Sequence, residues 1–196
     1  MIIYLDTETT GLHPGKICQL SYIMQDGFSV VAKNLYFSVD YVEPSAMAVH
    51  GLSPQKLKAL SCGKTFIESI DEVEKDLLNA DLVVCHNTAF DFMFLTAEFE
   101  NCQKEFCVKE SFCSMKKLTP IIKMPRKSGV GYKYPKLSEM CEYFEISDKE
   151  ILRETKKIFG ESAGYHDARF DTTALYLALK KGIEVEKQLE FLKDFI

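Results

Sequence analysis

The apolar residues of this chain come in two rhythms, and the change from one to the other predicts its elements. Residues 2–6, IIYLD, are a short apolar run ending on an acid, the pattern of a buried strand. ICQLSYIM (17–24) and FSVVAKNLYF (28–37) follow, with Gln25, Asp26 and Gly27 as turn residues between them. They predict a hairpin leading away from the first strand. Pro44 and Pro54 bracket a loop with short helical turns around AMAVHGLS. From residue 65 the period lengthens: apolar side chains at 66, 67, 70, 73, 77 and 78 make a helical stripe. DLVVCHN (81–87) reads as another buried strand, AFDFMFLTAEFE (89–100) as a helix and ESFCSM (110–115) as a last short strand.

KMPRKSGVGYKYPK (123–136) carries Pro, Gly and Ser and reads as a mobile loop. LSEMCEYFEI (137–146) is a short helix, and Ser147 with Glu150 has the spacing of a capping box that starts the next one. The last long helix opens in GYHDARFD (164–171), and Gly182 is its expected stop. Strands first, then alternation with helices, indicate an α/β domain with a mixed sheet. The expected organisation is a single domain over residues 1–196, with a core to about 181 and a helical tail over 182–196.

Composition narrows the class. At 46% hydrophobic and 27% charged residues, the chain is an ordinary globular sequence. No apolar run approaches the roughly 18 residues needed to cross a bilayer, so no membrane association is expected. The start, MIIYLDTE, lacks a basic region and cleavage site, so no secretory signal is expected. Seven cysteines without a CxxC pair fit reduced thiols and a cytoplasmic setting. Buried thiols account for them better than a zinc site drawing on Cys102, Cys107 and Cys113. The net charge of -5 argues against indiscriminate nucleic-acid binding, but it averages over an asymmetry. Residues 104–136 hold nine Lys/Arg against Glu105 and Glu110, a local charge of +7 on a body of -12. Such a basic segment can hold a phosphate backbone.

The candidate chemistry lies in four carboxylates. Strand alternation puts Asp6 and Glu8 side by side at the end of an apolar strand, followed by Thr9-Thr10-Gly11. Asp91, in the first turn of its helix, shares a face with Phe94 and Leu95. Asp171 repeats the pattern with Ala174, Leu175 and Ala178. Four acids converging among apolar side chains repel at about 3 kcal/mol per pair, taking about 5 Å and an effective dielectric of about 20. Arg169, the one cation within these segments, is expected to face outward. Two divalent cations would balance the charge, and oxygen-only ligands suit Mg²⁺ or Mn²⁺. Asp167 is expected to cap its helix. His166, just ahead of that helix, can exchange a proton near neutral pH. His86 ends a buried strand and is read as structural, with Asn87 bonding local backbone.

D-T-E-T-T-G at residues 6–11, H-N-T-A-F-D at 86–91 and H-D-A-R-F-D at 166–171, in this order, resemble the three motifs of the DEDDh 3′→5′ exonucleases. The V-H-G-L run at 49–52, S-F-C at 111–113 and L-S-E-M-C from Leu137 are similar to the proofreading epsilon-type pattern of that family. The resemblance implies a ribonuclease H-like fold, a five-stranded mixed sheet with helices on both faces. It implies metal ligands Asp6, Glu8, Asp91 and Asp171, with His166 as general base. Thr9, Thr10, Gly11, Leu12, His50 and Phe90 would hold the 3′-terminal nucleotide. The implied activity is release of nucleoside 5′-monophosphates from DNA 3′ ends by a two-metal mechanism in proofreading or repair, with a polymerase or other replication partner. An RNA-trimming exonuclease, and a binding module without turnover, are the competing readings. One departure stands out: SDKEILRETKKIFGES (147–162) is longer than the epsilon-type spacer, and an extra helix beside the site mouth is expected to restrict substrate approach.

Overall fold

A computed structural model describes residues 1–196. The chain opens with three strands, β1 (Ile2–Thr9), β2 (Ile17–Asp26) and β3 (Ser29–Tyr36). Two short helices follow, α1 (Pro44–His50) and α2 (Pro54–Leu60), each with proline in its first turn, where the missing N–H costs nothing. The helical stripe beginning at residue 66 divides into a 3₁₀ turn, Phe66–Glu68, and α3 (Ile70–Asn79). The alternating half comprises β4 (Leu82–Cys85), α4 (Thr88–Asn101), β5 (Ser111–Cys113), α5 (Ser114–Ile122), α6 (Leu137–Tyr143), α7 (Asp148–Phe159) and α8 (Ala168–Val185). A 3₁₀ tail spans Lys187–Phe195.

The strands form one sheet in the order β3-β2-β1-β4-β5. β2 runs antiparallel to β1 and β3, whereas β4 is parallel to β1 and β5. The sheet is therefore mixed, as expected. Side-chain alternation along β1 divides the core in two. Ile2 and Tyr4 join the cluster under α5, α6, α7 and α8, while Ile3 and Leu5 join that under α3 and α4. Helices thus cover both faces, and β1, buried on both, lies at the centre with its C-terminal end carrying the acids.

Several local expectations need correction. The glycine-bearing segment 123–136 is a hydrogen-bonded hairpin rather than a loose loop, with Pro125 bridged to Tyr132. The segment from Ser114 to Ile122 is helical despite Pro120, which falls in the last turn, where the helix is about to end. The last helix does not stop at Gly182 but continues to Val185, so the expected 182–196 tail begins inside it. Gly182 is there for contact: a Cβ would lie 2.7 Å from Leu189 Cδ1 and 3.0 Å from Phe144 Cζ. Ser147 caps α7 by accepting from the Glu150 amide, but the reciprocal half of the capping box is absent. The extra helix expected between 147 and 162 is α7, and it packs on α8.

Candidate active site

Asp6 and Glu8 emerge on the α8 face of β1, where the strand ends with a register shift against β2. Asp171, in the first turn of α8, meets them there. Each of the three brings a carboxylate oxygen within 4.8 Å of the others. Asp91 enters from the opposite face, at the first turn of α4, and is only 3% exposed. Its carboxylate is held by Thr7, whose Oγ1 donates to Asp91 Oδ1 at 2.8 Å. Thr7 belongs to β1 but points the other way from Asp6 and Glu8, so it reaches the acid that approaches under the sheet. Sequence reasoning missed it, because a threonine between two acids reads as the strand's ordinary alternate side chain.

The four carboxylates sit above their ordinary range for a shared cause. Burial, then repulsion from Asp171, Asp91 and Glu8, raises Asp6 well above the usual value. Burial, with Asp171 next, pushes Glu8 up to about 9. Burial takes Asp91 up to about 7 against the opposing hydrogen bond from Thr7. Asp171 rises to about 6 through burial, with His166 pulling the other way. No lysine or arginine forms an ion pair with any of the four: Arg169, expected to face outward, is buried and turned to Asp167, and Lys136 lines the same cleft unpaired. An all-oxygen set of converging acids with no ion-paired lysine or arginine fits hard divalent cations.

The segment ahead of α8 has a different arrangement. Asp167 caps the helix by accepting from the Arg169 amide at 3.1 Å, as expected. It also accepts from Arg169 Nε at 2.9 Å, Arg169 Nη2 at 2.8 Å and Gln19 Nε2 at 2.9 Å. Arg169 Nη1 reaches Glu161 at 2.9 Å. This network fixes the residue after His166, whose own backbone is left-handed (φ 57°) and whose side chain stays exposed. A non-glycine residue in that region is strained and is kept there by what surrounds it.

The four acids and His166 open into a cleft of about 810 Å³. Phe90 lines it, packed on Phe94 with ring centroids 5.0 Å apart. Its far wall comes from α6 and α7, including Cys141, Asp148 and Ile151, with Tyr165 at the rim. Thr9, Thr10, Gly11, Leu12 and His50 lie outside this lining. Thr9 Oγ1 donates to the Gly11 carbonyl at 2.7 Å, and Thr10 Oγ1 accepts from the Lys16 amide at 3.0 Å. Leu12 faces solvent, 72% exposed. His50 is engaged at both ring nitrogens. Nδ1 accepts from the Leu52 amide at 3.1 Å, so Nε2 carries the hydrogen and donates to the Thr9 carbonyl at 3.1 Å. Burial lowers its pKa, in keeping with that neutral form.

His86 is structural, as expected. Nε2 faces the Pro135 carbonyl at 3.0 Å, which only accepts, so Nδ1 accepts from Ser114 Oγ at 2.9 Å. Burial pushes it down to about 4. Asn87, expected to bond local backbone, makes no side-chain cap on α4. All seven cysteines are free; Cys18, Cys85, Cys113 and Cys141 are buried as expected, Cys102 is half-buried, Cys62 and Cys107 are exposed, and Cys102, Cys107 and Cys113 do not gather as a ligand group.

Comparison with known proteins places this geometry among nucleases. The RNase T family model, described as exonuclease, matches residues 3–179. DNA polymerase III subunit epsilon of Escherichia coli K12 is 30% identical over 158 residues, covering 76% of this chain and 62% of that protein. The Rickettsia felis epsilon subunit is 25% identical over 155 residues, covering 74% and 63%. The chain therefore spans less than two thirds of these curated relatives. Among solved structures, E. coli exonuclease I in complex with a dA16 oligonucleotide superposes with a TM-score of 0.75. It covers 98% of this chain and 42% of the other at 16% identity, a likeness of fold. A zinc-bound form of the same enzyme with single-stranded DNA gives 0.70 at 18% identity.

Proposed function

We propose, from the premise that the chain belongs to the RNase T exonuclease family, that it removes nucleotides one at a time from the 3′ end of DNA. The observation that carries this reading is the meeting of Asp6, Glu8 and Asp171, joined by Asp91, in one cleft where none of the four is ion-paired with a lysine or arginine. These four would hold two divalent cations, Mg²⁺ or Mn²⁺. When bound, such ions supply positive charge to the phosphoryl oxygens during displacement.

The chain's own groups do the rest. Thr7 orients the Asp91 carboxylate. His166, exposed at the mouth and close enough to lower the pKa of Asp171, takes the proton of the attacking water onto its imidazole. Phe90 offers an apolar face to the terminal base. The wall from α6 and α7 closes the far side, so that a single strand enters more easily than a duplex. The epsilon relatives favour DNA and a polymerase partner.

A time course on 5′-labelled DNA and RNA oligonucleotides of matched sequence tests the reading. Wild-type protein with Mg²⁺ or Mn²⁺ shortens the DNA from its 3′ end in single-nucleotide steps, faster than the RNA. Asp6→Ala and EDTA each abolish the ladder, and a closed circle survives. Cleavage of the circle would show an endonuclease instead.

A further inference from the structure

The cleft, about 810 Å³, holds only the end of a strand, and the surface beside its mouth carries chemistry the proposed reaction does not use. Residues 111–136 contain seven Lys/Arg and no acid. Only Lys133 among them is ion-paired, with Glu139. The second half of this segment is the hairpin between α5 and α6. It is closed by Lys133 N to Met124 O (2.9 Å), Arg126 N to Gly131 O (3.3 Å) and Gly129 N to Arg126 O (3.0 Å). Gly129 and Gly131, both at φ 74°, supply the left-handed turn positions. Arg126 Nε is held by the Tyr132 carbonyl at 2.9 Å, which fixes the arginine along the hairpin.

Large side chains on this hairpin face solvent: Val130 is 76% exposed, Tyr134 55% and Tyr132 44%. Exposed tyrosines interleaved with free cations on an ordered element are unlike a merely solvated charge run. They match the stacking platform and charged track by which proteins hold unpaired nucleic-acid strands. The hairpin is also continuous with the cleft. Its root, Pro135, is bonded by His86 at the end of β4, and the next residues, Lys136 and Leu137, line the cleft itself.

We infer that this hairpin is the docking track for the single-stranded DNA upstream of the terminal nucleotide: bases stack on Tyr132 and Tyr134, and phosphates lie along Arg126, Lys127 and Lys136. The inference deepens the exonuclease reading and rests on it. A hairpin already closed by its own backbone bonds loses less entropy on binding than an open loop, which is why that bonding matters beside its side chains. Duplex DNA hides its base faces, so the tyrosines favour a single strand.

The test is binding in EDTA, which keeps strands intact, read by anisotropy of 5′-fluorescein oligothymidylates of three and twelve nucleotides. Wild-type protein is expected to bind the longer strand at least about tenfold more tightly, since each stacked base adds a several-fold gain. Tyr132→Ala with Tyr134→Ala removes most of that length dependence, and Tyr132→Phe with Tyr134→Phe keeps it. Arg126→Gln with Lys127→Gln lowers the slope of log affinity on log salt by about 1.4, since a single strand gives about 0.7 for each phosphate neutralised. The inference is overturned if the double alanine variant keeps the wild-type length dependence, or if it weakens a blunt duplex equally. Cleavage with Mg²⁺ or Mn²⁺ is read separately: wild-type protein that binds in this pattern but shortens no strand removes the exonuclease reading and leaves the hairpin's binding role standing.

Discussion

At the scale of single residues, Thr7 shows how the cost of charging a buried acid is partly offset. Its hydroxyl donates to Asp91, and that bond opposes the rise in pKa caused by burial. Thr7→Val keeps the shape and removes the donor. Removing a partner of this kind weakens cation affinity by about 10- to 100-fold. Titration of activity against Mn²⁺ would measure it, with the rate at saturating Mn²⁺ mostly recovered. The same acids set a pH dependence. In the cation-free fold Glu8 titrates near 9, Asp91 near 7 and Asp171 near 6, all above the carboxylate value of about 4 in an unfolded chain. The folded protein therefore binds more protons than the unfolded one across that window. The stability is fully present below about pH 4 and is lost as pH rises through the folded values. His86, depressed to about 4, and His50, also lowered by burial, contribute in the opposite sense only below about 6.5, outside the window in question. The melting temperature in EDTA is thus expected to fall between pH 6.5 and 9, and the gain from added Mg²⁺ to grow over the same range. A flat profile in EDTA would mean that the acids do not share a buried site.

At the scale of elements, the start of α8 is where sequence reasoning and structure part most clearly. Helical geometry points Arg169 away from the apolar stripe, and on an isolated helix it would face water. In the fold that side meets β2 and β3, so the guanidinium is buried against Asp167, to which Gln19 also bonds, and against Tyr36, whose ring centroid is 6.0 Å away. Arg169→Ala would leave Asp167 without its bidentate partner. A loss of about 3 kcal/mol is expected in urea denaturation, as for a broken buried pair, and Arg169→Lys would restore little because lysine lacks the planar fork. Because the same pair fixes the residue after His166, the rate should fall further than the lost stability explains. Elements with a clean period were legible: β1, β2, β3, β4, α3 and α4 follow their runs of apolar residues. Those that depend on distant partners were not. Pro120 hid α5, whose last turn is stable because Leu118 and Ile122 pack into the core. Pro, Gly and Ser hid the order of the hairpin, which comes from its own backbone bonds and the anchor at His86. The acids were legible for a third reason: a carboxylate on an apolar face is costly, and that cost is visible in sequence.

At the scale of the whole molecule, the question is where the folding unit ends. The family match stops at residue 179, and Gly182 reads in sequence as a natural boundary near it. The packing argues for a longer unit. Leu189 and Leu192 of the 3₁₀ tail are 1% and 0% exposed and belong to the same cluster as Tyr4, Val84 and Phe144. Leu189 rests on Gly182, where a side chain would collide with it. Phe191 lies on Phe112 of β5, ring centroids 5.9 Å apart, so the tail also covers the edge strand of the sheet. We propose that the domain runs through residue 196. Full burial of two leucines contributes about 3 to 6 kcal/mol, a large share of the roughly 5 to 15 kcal/mol by which domains are stable. A chain cut after residue 181 would also lose the last turn of α8 and uncover Phe144. Its urea midpoint is expected to drop steeply, or the protein to aggregate through the exposed cluster. The acids, His166 and the hairpin are all present in the shortened chain, so any activity it keeps at low temperature should show an unchanged cation requirement. An unchanged midpoint would instead make the tail a separate appendage, free to leave the core for a partner.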